Sequence, residues 1–225
     1  MVGFFRKRNF AATSVVVLML LLATVCEARL SYSFTYGALD ALVDHHNWLV
    51  GMMVARISLM VAMLIIWLFN RPRMLHGTIV LLTGFLTLGV ATSTAALVEA
   101  LVGPVSRVVD FFIVDVVLLA TTNILVFSLW YWIIDPPGIL PEEGGGDPWE
   151  FLFPQRDSDR PQDADWMPGY IDYLYLSFVI SLTFAPSDII PLSRRAKMLV
   201  MLQISLSVVI ITVIAANLIG ALQSS

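Results

Sequence analysis

The chain contains little charge and almost no cysteine. Asp, Glu, Lys and Arg make up only 13% of its 225 residues, whereas in a typical soluble domain they make up about a quarter. A single cysteine, Cys26, excludes an intramolecular disulfide and any metal site built from cysteines. The net charge of −4 provides no basic surface for nucleic acid. These absences exclude a soluble globular domain, a disulfide-stabilised fold and a nucleic-acid-binding protein.

Long apolar runs dominate what is present. Hydrophobic residues make up 58% of the chain and the mean hydropathy is +0.84, which is typical of a multi-pass membrane protein. We therefore expect an all-α membrane helix bundle that forms a single domain over 1–225, with four or five spanning helices. The runs of about 20 residues that could cross a bilayer are 11–30, 48–69, 75–101, 108–134 and 198–222.

The first apolar run has two interpretations. Three basic residues at 6–8 precede it, and it ends in Cys26-Glu27-Ala28. This pattern is typical of a secretory signal peptide that is cleaved after Ala28. A signal-anchor helix over 1–30 that stays on the chain fits the same residues. Both interpretations leave the residues after Ala28 on the far side of the membrane.

Residues 135–171 form an acidic loop that is rich in proline and glycine. The segment holds more than half of the 17 acidic residues and most of the 11 prolines. Such a composition lacks the apolar surface that would let it fold alone. Its aromatic side chains are interpreted as anchors at the membrane interface, where tryptophan is favoured. These aromatic residues are Trp149, Phe151, Phe153 and Trp166.

Residues 170–222 carry the most information about function. A short apolar stretch leads to Thr183-Phe184-Ala185-Pro186-Ser187-Asp188, and a basic cluster at 194–197 then opens a long apolar run. This order resembles the pore helix, loop and membrane helix of two-helix potassium-channel pores, whose Thr-Val-Gly-Tyr-Gly-Asp filter corresponds to 183–188. The resemblance implies an oligomeric pore in which Asp188 attracts cations. Both filter glycines are absent here, and with them the backbone freedom that glycine gives.

A second set of residues in the same segment carries another resemblance. The residues are Ser177-Phe178-Val179-Ile180, Thr183-Phe184, Ser187-Asp188, Ser193-Arg194-Arg195 and Ala216-Asn217-Leu218. Together they resemble a family of uncharacterised bacterial integral membrane proteins of about this length, which is defined as a domain of unknown function. The resemblance implies a multi-pass protein of the cell (inner) membrane, and it transfers no catalytic or ligand residue.

The path of residues 170–195 through the membrane has more than one solution. If the segment re-enters without crossing, most of the 13 basic residues fall on the side of the N-terminus, as basic residues tend to do. A full crossing would move Arg194, Arg195 and Lys197 to the other side and weaken this balance. We expect a re-entrant or short hairpin at 170–192, with Phe151 and Lys197 on the same face of the membrane.

Arg56 and Asp115 are charged residues that lie well inside two of the apolar runs. Arg56 and Asp115 both fall roughly 10–12 Å from the same face, given the rise of a helix. An isolated charge at that depth is costly, so we predict that the two form an ion pair. A structural ion pair that locks two helices and a proton or ion relay both fit this arrangement.

Residue sets for catalysis are absent from the sequence. It contains no serine–histidine–acid set and no paired carboxylates at a defined separation, so we expect neither an enzyme nor a cofactor. The four metal-capable residues Asp40, Asp44, His45 and His46 are interpreted as a solvated interface segment, because adjacent histidines on one helix point apart. We therefore expect no metal site.

Three hypotheses about function remain. The first is a pore-forming homo-oligomer with residues 183–188 at its constriction. The second is a non-conducting structural or accessory subunit that binds another membrane protein through the same hairpin. The third is a small transporter that uses Arg56 and Asp115, against which the lack of an internal repeat counts. In each case the protein contacts the lipid bilayer.

Overall fold

A computed structural model describes residues 10–38, 46–69, 72–102, 109–135, 149–157, 166–186 and 188–224. Over these residues the chain is mostly helical, with two short strands, one 3-10 turn and short irregular connections, so the expected all-α class is confirmed. The helices are α1 Phe10–Ala38, α2 His46–Leu68, α3 Pro72–Val102, α4 Val109–Ile134, α5 Tyr170–Thr183 and α6 Arg194–Ser224. The strands are β1 Phe151–Leu152 and β2 Ile190–Pro191, and the 3-10 turn is Pro154–Asp157.

Three of the described helices are long and apolar enough to cross a membrane. They contain the stretches Met74–Val98 of α3, Val114–Ile134 of α4 and Arg194–Ala216 of α6. Two shorter apolar stretches are Val54–Leu68 in α2 and Tyr170–Thr183 in α5. The protein is therefore a membrane protein, as its composition predicts.

Helix α4 lies at the centre of the bundle. It packs against α1, α3, α5 and α6, and its side of the core includes the fully buried Phe127, Leu129 and Trp132. In a bilayer, lipid tails are as apolar as these side chains, so close packing and hydrogen bonds between helices hold such a bundle together. Helix α5 packs mainly on α4 and also contacts α6, and this position brings the hairpin against the middle of the protein.

Residues 149–157, which we name the loop platform, are folded against one end of the bundle. Strand β1 of the platform pairs antiparallel with β2, so that Phe151 faces Pro191 and Leu152 faces Ile190. The backbone N–H of Leu192 extends this contact by donating to Glu150 O at 2.9 Å. The chain before α5 and the chain after it therefore lie side by side.

The burial of the platform corrects the interpretation of its aromatic residues. Phe151 is 0% exposed and Phe153 is 2% exposed, so neither can be an anchor in the membrane interface. Phe151 packs edge-on against Tyr131 of α4, and Phe153 packs edge-on against Tyr173 of α5. The interpretation was wrong for these two residues because the bundle itself supplies the apolar surface that the loop lacks.

The two ends of α5 are set by local interactions. At its start, the Asp172 carboxylate accepts a hydrogen bond of 2.7 Å from the N–H of Gly169, as an acid in the first turn of a helix often does. At its end, Phe184 adopts a left-handed conformation with φ 58°, and its N–H donates to Ile180 O at 2.9 Å. Glycine is usual at this position. The phenylalanine ends the helix at the cost of some backbone strain.

Candidate functional site

The turn at residues 183–188 is the part of the chain that resembles a channel filter. Thr183, Phe184, Ala185 and Asp188 are exposed, Pro186 is half-buried, and Ser187 lies outside the described residues. The Thr183 hydroxyl contacts two carbonyl oxygens, those of Val179 at 2.8 Å and of Ala185 at 3.0 Å. Pro186 O accepts a hydrogen bond of 3.2 Å from Ile189 N–H. The Pro186 carbonyl is therefore occupied within the turn, and the Ala185 carbonyl shares the single Thr183 hydroxyl proton with Val179 O.

Ser177 and Ser181, two polar residues of α5, point into the protein. The fully buried Gln203 of α6 donates from Nε2 to Ser177 O at 2.9 Å, to Ser177 Oγ at 2.8 Å and to Ser181 Oγ at 2.8 Å. Its Oε1 accepts a hydrogen bond from the Tyr131 hydroxyl, and Ser177 in turn donates to Ile124 O at 2.7 Å. These bonds tie α4, α5 and α6 together. A glutamine within an otherwise apolar run was the sequence signal for this network.

The opposite face of α5 is apolar and exposed. Ile171, Tyr175, Phe178 and Leu182 are each at least half exposed. Their spacing of four, three and four residues places them on one side of the helix. Helix α5 thus directs Ser177 and Ser181 inward and four large apolar side chains outward.

Asp135, at the end of α4, joins the loop platform to the bundle. Its side chain is 0% exposed. Oδ1 accepts hydrogen bonds from the N–H groups of Glu150 at 2.8 Å and Phe151 at 3.4 Å. Oδ2 accepts from the Tyr173 hydroxyl at 2.6 Å and lies 3.0 Å from Arg156 Nη1. One carboxylate therefore holds α4, α5 and the platform in a fixed relationship.

Arg156 is the basic partner in this cluster. Its side chain is only 3% exposed, and Nη1 also donates to Phe151 O at 2.6 Å. The guanidinium carbon lies 4.6 Å from the centre of the Trp149 ring, a cation–π distance. Sequence reasoning missed this cluster, because Asp135 and Arg156 belong to a segment whose composition indicates a solvated loop.

A second buried charge cluster lies where α1, α2 and α3 meet. Arg56 Nη1 of α2 is 3.4 Å from Glu27 Oε1 of α1, and both side chains are buried. The Ser93 hydroxyl of α3 lies 3.5 Å from the same oxygen. Gly89 completes the site, because a Cβ there would lie 2.3 Å from Glu27 Oε1.

The two intramembrane residues singled out by the sequence, Arg56 and Asp115, are both buried. The ion pair that the structure gives Arg56 is with Glu27, and the predicted contact between Arg56 and Asp115 stays a prediction. Glu27 was overlooked because it stands at the end of a run that also fits a signal peptide. Its charge in an apolar helix was nonetheless visible in the sequence.

Metal-binding residues do not gather in the part of the chain that the structure describes. Among the described residues, no three His, Cys, Asp or Glu side chains lie close enough to hold an ion. Asp40, Asp44 and His45 lie outside those residues. Comparison of the chain with protein-family models, with curated proteins and with solved structures found no match.

Proposed function

We propose that this protein is a non-conducting structural or accessory membrane subunit, and that its hairpin, residues 170–191, binds another membrane protein. The observation that carries the proposal is the state of the turn carbonyls, since Ala185 O and Pro186 O both accept hydrogen bonds from within the turn. A carbonyl-lined filter needs its oxygens free to replace the water around an ion. Because two carbonyl oxygens of this turn accept hydrogen bonds from the turn itself, these bonds stabilise the turn and do not leave the oxygens free for an ion.

The orientation of α5 supports the same proposal. Ser177 and Ser181 are bonded to Gln203 inside the protein, whereas polar side chains at membrane depth that serve a pore face water. The outward residues of α5 are apolar and aromatic. In a membrane such a face associates with a partner helix by close packing.

We infer that the hairpin re-enters the membrane without crossing it. Helix α5 has 14 residues, a length of roughly 21 Å, whereas the hydrocarbon core is about 30 Å thick. The pairing of β1 with β2 brings the chain after the turn back beside the platform that precedes α5. Irregular backbone at membrane depth must be covered by protein, and a bound partner would cover residues 184–186.

Two measurements test the proposal together. In liposomes, we expect the purified protein to give no more ion flux than empty vesicles. In native membranes, a photoreactive amino acid at Phe178 should give a discrete cross-linked protein product, whereas the same group at Val117, an exposed residue of α4, should react with lipid. Flux above the empty-vesicle level would overturn the non-conducting role. Identical products at the two positions would overturn the hairpin as the binding face.

A conducting pore is the second candidate, and the exposure of Asp188 favours it. Asp188 is exposed beside the turn, where an acid could concentrate cations at the mouth of an oligomeric pore. If the protein conducts, Asp188→Asn should reduce cation flux more at low salt than at high salt, because salt screens a surface charge. Unchanged flux together with a lowered melting temperature would assign Asp188 to the turn alone.

A further inference from the structure

Among the residues that the structure describes, the carboxylates of Asp135 and Glu27 are both almost fully buried, yet their surroundings differ. Asp135 and Glu27 are 0% and 1% exposed. Four donors contact Asp135, two on each oxygen. An ionised carboxylate only accepts hydrogen bonds, and a full set of donors matches that chemistry. Asp135 therefore serves as a comparison for Glu27, because it is a buried carboxylate whose two oxygens both have donors.

Glu27 lacks such a set of donors. Its Oε1 lies 3.4 Å from Arg56 Nη1 and 3.5 Å from Ser93 Oγ, whereas a strong charge-assisted bond is about 2.7–2.9 Å long. Within the described part of the chain, Glu27 Oε2 is buried and accepts no hydrogen bond. A buried carboxylate oxygen without a donor is costly.

We propose that Glu27 is a proton-binding site inside the helix bundle. A proton delivered from water forms an O–H bond at Oε2, and the cluster of Glu27 and Arg56 changes from neutral to singly positive. The neutral carboxyl then no longer attracts the guanidinium, so proton uptake loosens the contact between α1 and α2. The ligand is the proton itself, since Oε2 has no exposed surface at which a larger ligand could bind.

Glu27 is the acidic residue at the centre of this cluster, and groups from several helices surround it. Arg56 faces it from α2 and the Ser93 hydroxyl from α3. On its own helix, the neighbouring Cys26 lies beside Thr122 of α4. Further along the packed helices, the titratable residues include His76 and Glu99 of α3, Asp110 and the buried Asp115 of α4, and Asp172, which is bonded to Gly169 at the start of α5.

Infrared difference spectroscopy on the full chain in lipid bilayers tests the proposal. Between alkaline and mildly acidic buffer, we expect the C=O stretching band of a protonated carboxyl to appear in the wild type and to vanish in Glu27→Gln. Asp135→Asn and Asp115→Asn should leave the band in place. A band that disappears with Asp115→Asn instead, or no band down to the acidity at which the protein unfolds, would overturn the proposal.

A measurement on the wild type covers the case in which Glu27→Gln does not fold. Labelling the glutamate carboxyl groups with ¹³C should shift the band, whereas labelling aspartate should not. The intact mass of the purified chain must also include Glu27. A mature chain that begins after Ala28 would remove the site and overturn the proposal.

Discussion

A methyl group on Gly89 of α3 would lie 2.3 Å from Oε1 and 2.8 Å from Cδ of Glu27 on α1. The missing side chain at position 89 is therefore what allows the Glu27 carboxylate to sit between α1, α2 and α3. The same methyl group would also lie 2.9 Å from Arg56 Nη2. A single glycine thus accommodates both members of a buried ion pair.

Gly89→Ala should therefore destabilise the protein. Alanine is the better helix former by about 1 kcal/mol, yet crowding a packed site costs about 1–3 kcal/mol, and here it also displaces the ion pair. We expect a lower melting temperature in detergent. Gly84→Ala is the matched control, because nothing lies within 4 Å of the added Cβ. Equal effects of the two substitutions would contradict the close approach.

The Glu27–Arg56 ion pair should appear as coupling in a double-mutant cycle. Removing one partner of a buried pair costs roughly 3–5 kcal/mol, because the other charge is left uncompensated. We expect Glu27→Gln and Arg56→Gln each to lower thermal stability, and the double mutant to lose less than the sum of the two. Additive losses would show that the pair contributes no coupling.

A parallel cycle tests the contact between Arg56 and Asp115 that the sequence predicts. Asp115→Asn and Arg56→Gln should each destabilise the protein, and the double mutant should recover much of the loss. This result would show that Arg56 interacts with both acids. Additive losses would leave Glu27 as its acidic partner.

The loop platform should come loose when Asp135 loses its charge. In Asp135→Asn, an amide NH₂ group replaces one carboxylate oxygen and faces the hydrogen-bond donors that this oxygen accepted from. The loss of these hydrogen bonds should lower the stability by about 1–3 kcal/mol. Arg156, buried in the wild type, should then become accessible, and trypsin should cleave after it about tenfold faster or more. Asp172→Asn, at a partly exposed acid of α5, is the control. Unchanged cleavage after Arg156 would show that the platform does not depend on Asp135.

The membrane orientation of the hairpin can be tested with single cysteines in a Cys26→Ala background. Phe151 is buried, so the exposed Gln155 of the platform is the better labelling position before α5. Lys197, which follows α5 in the sequence, is also exposed. We expect an impermeant thiol reagent to reach Gln155→Cys and Lys197→Cys from the same face. Labelling from opposite faces would mean that residues 170–191 cross the membrane.

The membrane-capable helices could be predicted from sequence because their signal is an average over many residues. The apolar runs at 75–101, 108–134 and 198–222 correspond to α3, α4 and α6, and one polar residue such as Gln203 does not disturb such an average. The same average gives no information about individual polar residues within the apolar runs. Glu27 and Gln203 could be seen in the sequence, but their partners lie on other helices and depend on packing.

The loop platform could not be predicted, for a different physical reason. Its composition indicates a segment that cannot fold alone. Phe151 and Phe153 become buried because Tyr131 and Tyr173 provide surfaces from distant parts of the chain. The turn at 183–188 has a similar limitation, since the order of its residues resembles a filter while the hydrogen bonds of Ala185 O and Pro186 O are visible only in three dimensions.

The pairing of β1 with β2 also sets an order of assembly during synthesis. Strand β1 and Asp135 are made before α5, whereas Ile190 and Pro191 are made after it. The Tyr173 hydroxyl reaches Asp135 only once α5 has packed, and the platform gains its second strand later still. Contacts between segments far apart in the chain form slowly. This end of the bundle should therefore be the last to close, and a chain that stops before Ile190 should leave the platform without its partner strand.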